Sequence, residues 1–478
     1  MKRLNGMDAM LLYSETPNLH THTLKVAIID GASRPDGYSF EVFRHAVQQR
    51  LHLLDPLRYR LIEVPGRIHH PMWLQNCEVD LDYHVRRVTV RAPGGRCELD
   101  QLIGEIASTP LDRSQPLWEF YFVEGMAEHR FALIGKVHHT LADGVASANL
   151  LSRLMDPQDG SSVTNAAAPA SRTPSRAALL RAAARDHLAQ AAALPGLITD
   201  VLRGVIRLAR SAHAQRRHPD MARIFRAPPT FLNHLVSPGR TFATAALSLD
   251  EVKETARSLE VKFNDVILAT VAQALRELLL RYDGRSDQPI LASVPVATDR
   301  STDRVTGNEI SGFITSLPVH VADPLERVRL TALGSRRAKA DHDLFGPSVQ
   351  GRMMEYLPPL LAPKLFRLQA RTARRNRLMN IAVSNVAGPT RRGAIGGASV
   401  TEIYSVGVLS AGSALNITVW SYVDQVDISV LSDDCTFDDV HEVTAAMVRG
   451  FSDIRSAAGL SGHLAPVPTA MPAAPLAG

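Results

Sequence analysis

The sequence predicts a mixed α/β protein built from two domains, and three observations predict it. The chain has 478 residues, more than one hydrophobic core usually organises. It is 45% hydrophobic and 21% charged, which supplies a large core and differs from a disordered chain. Segments with helical spacing are mixed with short strand-like runs in both halves.

The first half carries "FEVFRHAVQQRLHLL" from Phe40, which has helical spacing, and "DYHVRRVTV" and "RFALIGKV", which read as strands. Composition then breaks. Pro157 to Ala178 is small, polar and proline-bearing, and reads as a linker. An alanine- and arginine-rich helical segment follows from Leu179 to Arg217, and "RAPPTFLNH" from Arg226 ends it. The expected domains are therefore residues 1–156 and 230–463, joined by a linker and helical crossover over 157–229. The tail over 464–478 is expected to lack order. In the second half, "NDVILATVAQALRELLLRYDG" reads as a helix. Ile267, Val271, Leu275, Leu278 and Tyr282 share one face, and Gly284 stands where a C-terminal glycine cap belongs. "NIAVSN", "EIYSVGVLS", "ALNITVWSY" and "QVDISVLSD" are strand-like, the last two joined by a hairpin turn at Val423 and Asp424. The order in which these strands pair is not readable locally.

Composition also excludes function classes. Cys77, Cys97 and Cys435 are too few and too scattered for a disulfide framework or a cysteine-rich zinc site, so a reducing compartment is expected. The N-terminus lacks the long apolar core of a signal peptide. No run approaches the roughly 18 apolar residues of a spanning helix. The expectation is a cytoplasmic protein, free or bound to a membrane surface. The net charge of +5 suits nucleic acid, anionic lipid or a phosphorylated small molecule equally well.

The segment "VHHTLADGVA", Val137 to Ala146, carries the chemistry. A strand running into it puts His139 on one side with Val137, Gly135 and Leu133, and His138 on the other with Lys136 and Ile134. Both rings converging on one metal ion is therefore awkward, and no metal is expected. Asp143 and Gly144 sit at a turn into a helix. Asp143 can fix the local backbone or pair with an arginine, and Gly144 permits close approach or a positive φ. A second adjacent pair, His69 and His70, has no Asp-Gly after it and is assigned no chemistry. A neutral imidazole can take a proton from an alcohol or amine attacking a carbonyl. No G-x-S-x-G elbow and no cysteine–histidine signature supplies a covalent nucleophile, so direct attack of an acceptor on an activated acyl donor is the simpler scheme. Its tetrahedral oxyanion needs a donor at about 3 Å.

His138, His139, Thr140, Leu141, Ala142, Asp143 and Gly144 form an HHxxxDG run that resembles the active-site motif of the CoA-dependent acyltransferase superfamily. "DAMLLYSETPNLHTHT", "LDYHVRR", "PLDRSQPLWEFYFVEG", "KVHHTLADGVA", "FNDVILA", "GNEISGFITSLPV" and "SNVAGP" follow in that order. Together they resemble the bacterial wax ester synthase/diacylglycerol acyltransferase family. The resemblance implies two chloramphenicol-acetyltransferase-like domains with a channel between them. It implies acyl-CoA as co-substrate, no other cofactor, and diacylglycerol or a long-chain alcohol as acceptor. It makes His139 the general base, His138 mainly structural and Asp143 an organiser of the site. Asn264 and Asp265 match the family's Asn-Asp motif, with Asn264 a candidate oxyanion donor. Read from its own position, Asn264 is equally an N-cap. Pro116 to Trp118 reads as core packing, and Ser384 to Pro389 as a strand-to-loop turn. A carrier-bound donor, as in peptide-synthetase condensation domains, is the alternative.

Val201 to Arg226 and Arg352 to Arg377 mix apolar residues with arginines. A basic amphipathic helix of this kind binds anionic headgroups. Peripheral attachment to the inner face of the plasma membrane or to a lipid droplet is expected, and nucleic acid is not.

Overall fold

The computed structural model describes residues 1–156, 171–214, 220–374 and 376–460. Residues 157–170 of the expected linker, 215–217 of the expected arginine-rich helix and the expected tail from Leu464 lie outside them.

Three sheets organise these residues. A small one pairs β1 (Lys2–Arg3), β4 (Met72–Leu74) and β3 (Arg60–Ile62) in that order. The first large sheet contains β2 (His22–Asp30), β5 (Val85–Thr89), β6 (Trp118–Glu124), β7 (Arg130–His138), β12 (Ala394–Ile395) and β13 (Ala398–Val406), in spatial order β12-β13-β2-β7-β6-β5. The second large sheet contains β8 (Arg240–Ser248), β9 (Ile290–Ala297), β10 (Ile310–Leu317), β11 (Ile381–Ala387), β14 (Leu415–Tyr422) and β15 (Gln425–Asp433), in order β10-β9-β11-β14-β15-β8.

The expected division at residue 230 does not separate these sheets. The chain leaves the second sheet after β11, crosses over, and completes the first sheet as β12 and β13 beside β2. Local alternation identifies a strand but not the sheet it joins. The crossing is tight at Gly388, where a Cβ would stand 2.0 Å from Trp420 Nε1. Asp100 in the Arg96–Ala107 helix adds a second tie, accepting from the backbone and hydroxyl of Thr244 in β8. The expected hairpin is present, with β14 and β15 in register around Val423, which adopts φ +54°.

Strand alternation divides the first half into two cores. Ala27, Ile29 and Leu133 pack with Phe43 and Leu150 on one face, joined by Trp420 and Tyr422 from the second sheet. Leu24, Val26, Ile28 and Ile134 pack on the other face with Leu99 and Ile103. A third core fills the second half around the Phe263–Tyr282 helix. That helix is buried on more than the expected face, because Val266, Leu268, Ala269 and Ala272 are as enclosed as Ile267 and Val271. Gly284 follows its end with φ +68°, as a glycine cap requires. Its start differs from expectation. Lys262 is the N-cap and Asn264 already lies inside the helix, while Asp265 accepts from Lys262 N at 3.1 Å. The carboxylate three residues past the cap takes the first-turn donor, so Asn264 is not needed as a cap.

Candidate active site

β7 delivers the two histidines to the seam between the sheets. His139 opens the turn that follows the strand, and its N–H still donates to Thr21 O at 2.8 Å. The alternation expected from the sequence holds. His138 is fully buried, whereas His139 keeps accessible surface.

His138 is committed on both ring nitrogens. Nδ1 accepts from Thr140 N at 3.2 Å, so the proton resides on Nε2, which lies 3.0 Å from Thr21 Oγ1 and 3.5 Å from Glu15 Oε1. Burial pushes the Glu15 carboxyl up, but His138 and Arg113 outweigh it and hold the group below the usual carboxylate range. His138 thus anchors the loop from beneath.

His139 is committed on one nitrogen only. Its Nδ1 lies 2.9 Å from Asn308 Oδ1. The orientation of that amide follows from its other partners. Asn308 Nδ2 donates to Asp8 Oδ1 at 2.8 Å and to His139 O at 2.7 Å, and both of those atoms can only accept. Oδ1 therefore faces the ring, Nδ1 carries the proton, and Nε2 presents a lone pair. Burial lowers the pKa of His139, and Lys25 lowers it further, while its own backbone, Asp143 and Asn308 work the other way. The result is a neutral imidazole near pH 7.

Asp143 builds the turn that follows. Its Oδ1 accepts from Ala146 N, capping the Gly144–Leu154 helix, and from Arg304 Nη2, both at 2.9 Å. Its Oδ2 accepts from Glu309 N at 3.0 Å. Asp143 N donates to Gly307 O, and Gly307 N donates to Leu141 O. The expected arginine partner is thus Arg304, and the whole motif is laced to the 304–309 segment of the second half. Gly144 serves close approach rather than positive φ. A Cβ there would meet Val386 of β11 at 3.1 Å.

Asn264 and Asp265 lie apart from this network. Asn264 Oδ1 accepts from Asn385 Nδ2 at 3.3 Å, which leaves its own amide N–H groups as donors on the second half. Asp265 is spent on its helix start. Neither is among the hydrogen-bond partners of His139 among the described residues. Trp118 is fully buried, stacked on His84 with centroids 4.3 Å apart, and donates Nε1–H to Leu57 O, which is the packing role expected of it. His69 and His70 are likewise packed, with His70 Nδ1 2.9 Å from Tyr13 Oη.

Sequence reasoning missed Asn308, Asp8, Arg304 and Lys25. Asn308 lies in "GNEISGFITSLPV" and Asp8 in "DAMLLYSETPNLHTHT", segments singled out without a task for either residue.

A mostly apolar cavity lies between the first sheet and the Phe40–Arg50 and Gly144–Leu154 helices, with Leu133, Gly135 and Val137 of the histidine-bearing strand on its wall. Thr23, Lys25 and Ser147 supply its polar groups, and Phe43, Leu133 and Leu154 are typical of the remainder. Such a space suits a hydrocarbon chain. Among the described residues no group of three or more histidine, cysteine, aspartate or glutamate side chains could hold a metal ion.

The chain was compared with known proteins. Residues 4–267 match the wax ester synthase/diacylglycerol acyltransferase catalytic domain, and residues 306–455 match the WS/DGAT C-terminal domain. The Mycobacterium tuberculosis protein named "Putative diacyglycerol O-acyltransferase Rv0221" is 51% identical over 475 residues, covering 98% of this chain and 99% of the relative. A second from that organism, Rv3087, is 35% identical over 91% of this chain and 92% of its own length. The wax ester synthase/diacylglycerol acyltransferase from Marinobacter aquaeolei VT8 superposes with a TM-score of 0.68 at 24% identity, covering 96% of this chain and 100% of that one. The first condensation domain of the CDA synthetase shares the fold, with a TM-score of 0.58 at 16% identity over 98% of both chains.

Proposed function

Because this chain belongs to the wax ester synthase/diacylglycerol acyltransferase family, we propose that it transfers a long-chain fatty acyl group from acyl-CoA to the free hydroxyl of a diacylglycerol, forming triacylglycerol. Long-chain alcohols, which would give wax esters, are the second acceptor class. The observation that carries the reading is the tautomer of His139: Nδ1–H is fixed on Asn308, and Nε2 has no hydrogen-bond partner among the described residues, while Val137, two residues earlier, lines an apolar cavity.

The chemistry follows from that arrangement. Nε2 accepts the proton of the acceptor hydroxyl as its oxygen attacks the thioester carbonyl. The tetrahedral oxyanion calls for a donor, and the Asn264 amide, whose N–H groups are left to donate by its contact with Asn385, is the candidate. When the intermediate collapses, the C–S bond breaks and the thiolate of CoA takes back the proton held on Nε2. The ester leaves and the imidazole is neutral again. The acyl chain lies in the cavity, His138 and Asp143 hold the loop, and no metal or redox group takes part. The acceptor is a lipid, and peripheral attachment to the inner membrane face or to a lipid droplet brings the enzyme to it. Exposed Leu188, Leu202, Leu365 and Leu368, among arginines, support such attachment. Among the described residues no helix is long and apolar enough to cross a membrane.

The test is purified protein with labelled palmitoyl-CoA and a panel of diacylglycerol and fatty alcohols, with the products separated by chromatography. Labelled triacylglycerol is the expected product. A protein that ignores acyl-CoA but accepts an acyl-carrier protein as donor would overturn the reading in favour of condensation-like chemistry.

A further inference from the structure

Lys25 is a charged side chain on an otherwise oily strand face. Alternation along β2 puts it with Thr23 and Ala27, all three line the cavity, and the Lys25 charge reaches His139. The next residues on that face, Ala27 and Ile29, belong to the apolar core. Across the ladder its partner is Gly135 of β7, against which the Phe120 ring packs.

The ammonium is incompletely matched. Nζ donates to Ser405 Oγ at 2.6 Å and lies 5.1 Å from the centroid of the Trp420 ring. Among the described residues no carboxylate forms an ion pair with it, and Asp143, whose charge reaches it, is already engaged by Arg304. An ammonium offers three donors. Burying a cation without a counter-charge is costly, and burial brings this one down to about 8. A saturated chain passing along the wall would leave that cost uncompensated.

Resting on the reading that this cavity takes the acyl chain, we propose that Lys25 makes it selective for acyl groups carrying an oxygen function partway along the chain. The hydroxyl, oxo or carboxylate oxygen accepts a hydrogen bond from Nζ. The Thr23 and Ser147 hydroxyls provide the remaining polar lining, and the rest of the chain lies on Phe43, Leu54, Leu133 and Leu154. A polar patch followed by an apolar remainder sets a register: the oxygen is read at one distance from the thioester and at no other.

The test uses thioether analogues of acyl-CoA, which bind but cannot transfer. A hexadecyl thioether and a series carrying a hydroxyl at successive positions are titrated calorimetrically into the full chain. In the wild type, one hydroxyl position binds on the order of tenfold tighter than the plain chain, the worth of a hydrogen bond to a charged donor. In Lys25→Met that advantage disappears, and the plain chain binds at least as tightly as before. Equal affinity for all analogues in the wild type overturns the proposal, as does a preference that survives in Lys25→Met. Lys25→Met is also expected to match the wild type in denaturation, because a methionine replaces a half-buried charge with no carboxylate partner among the described residues. A variant that fails to fold would make Lys25 a structural prop for Ser405 and Trp420 and would equally overturn the proposal. Binding of these analogues does not need turnover. A wild type that shows the preference yet forms no ester keeps the selectivity and loses the transfer reading.

Discussion

Asn308 donates twice to one oxygen of Asp8, from its backbone N–H at 3.0 Å and from its side-chain amide at 2.8 Å, across 300 residues of sequence. That pair is what stops the amide from turning over. A reversed amide would aim N–H at the His139 ring, move the ring proton to Nε2, and remove the base. Asn308→Ala is therefore expected to lower kcat on the order of 10²-fold, the lower end of what a positioned base contributes, with KM for acyl-CoA nearly unchanged. Asp8→Leu is expected to do the same, and Asp8→Asn, which keeps an oxygen acceptor, to recover most of the loss. The double variant should cost little more than either single one, because both act through one ring. Steady-state kinetics on the four proteins check this, and additive losses would break the link.

The two histidines should separate in kinetics as they do in space. His139→Ala removes nearly all turnover, whereas His138→Ala leaves a measurable fraction at the expense of stability, since Thr140 and Glu15 lose a buried partner. The pH profile adds a sign. Burial depresses the His139 pKa below 6.5, so the free base persists at pH values where an exposed histidine is already charged. The acid limb of kcat/KM that belongs to His139 is expected below pH 6.5; burial raises Asp8 to about 7, so a limb above 6.5 that persists in Asp8→Asn would contradict the assignment.

Arg304 and Asp143 form a buried ion pair at 2.9 Å, with side-chain exposures of 10% and 0%. Removing one member strands the other. Arg304→Met is expected to destabilise the protein by about 3–5 kcal/mol, as breaking buried pairs does. It should also lower activity, because Arg304 holds the 304–309 segment that carries Asn308. Chemical denaturation and the acyl-transfer assay measure the two effects. Asp143→Asn, which can still accept at the helix cap, should lose less stability.

Much of this site is legible in the sequence where the physics is local. The opposite facing of His138 and His139 follows from strand alternation, and the Asp143 turn from the chemistry of a helix start. Asn308 and Asp8 are invisible for the converse reason. Their contacts span 169 and 300 residues, and nothing periodic announces them. The same holds for β13, whose strand character is plain but whose place in the first sheet depends on the crossover. Asn264 as a cap fails because the helix already begins at Phe263, with Lys262 at the cap and Asp265 closing on its backbone N–H. Lys25 was within reach: a cation in the middle of "TLKVAIID", on the same strand face as Ala27, is itself a signal.

His441 ties the two halves together in a pH-dependent way. Its Nε2 lies 3.1 Å from Asp100 Oδ2, and its Nδ1 lies 2.7 Å from Asp439 Oδ1. Burial alone would lower its pKa, but the two carboxylates prevail and push it up to about 9. A histidine pKa raised on folding gives stability that is complete below its unfolded value near 6.5 and is lost as pH rises through about 9. Partial exposure of the ring trims the effect to roughly 1–2 kcal/mol. Denaturation midpoints should therefore fall between pH 6.5 and 9 in the wild type. The fall should be much reduced in His441→Gln, and identical slopes in both would rule the clamp out.

The Arg176–Ala214 helix leaves Leu188 72%, Leu202 57% and Val205 50% exposed, and the Ala362–Thr372 helix leaves Leu365 61% and Leu368 59% exposed. Arg203, Arg207 and Arg210 share the first helix with these residues, and Lys364, Arg367 and Arg371 share the second. Leucines left in water at this density are a cost unless something apolar covers them, and the neighbouring cations favour an anionic surface. In flotation, the protein should rise with vesicles containing anionic phospholipid and stay at the bottom with neutral ones. Replacing Leu365 and Leu368 by Ser should release it from anionic vesicles while leaving transfer to a short, soluble alcohol intact, because neither residue touches the cavity. A wild type that never leaves the bottom of the gradient would end the idea of surface attachment, and a Leu365→Ser/Leu368→Ser protein that floats as well as the wild type would move the docking face elsewhere.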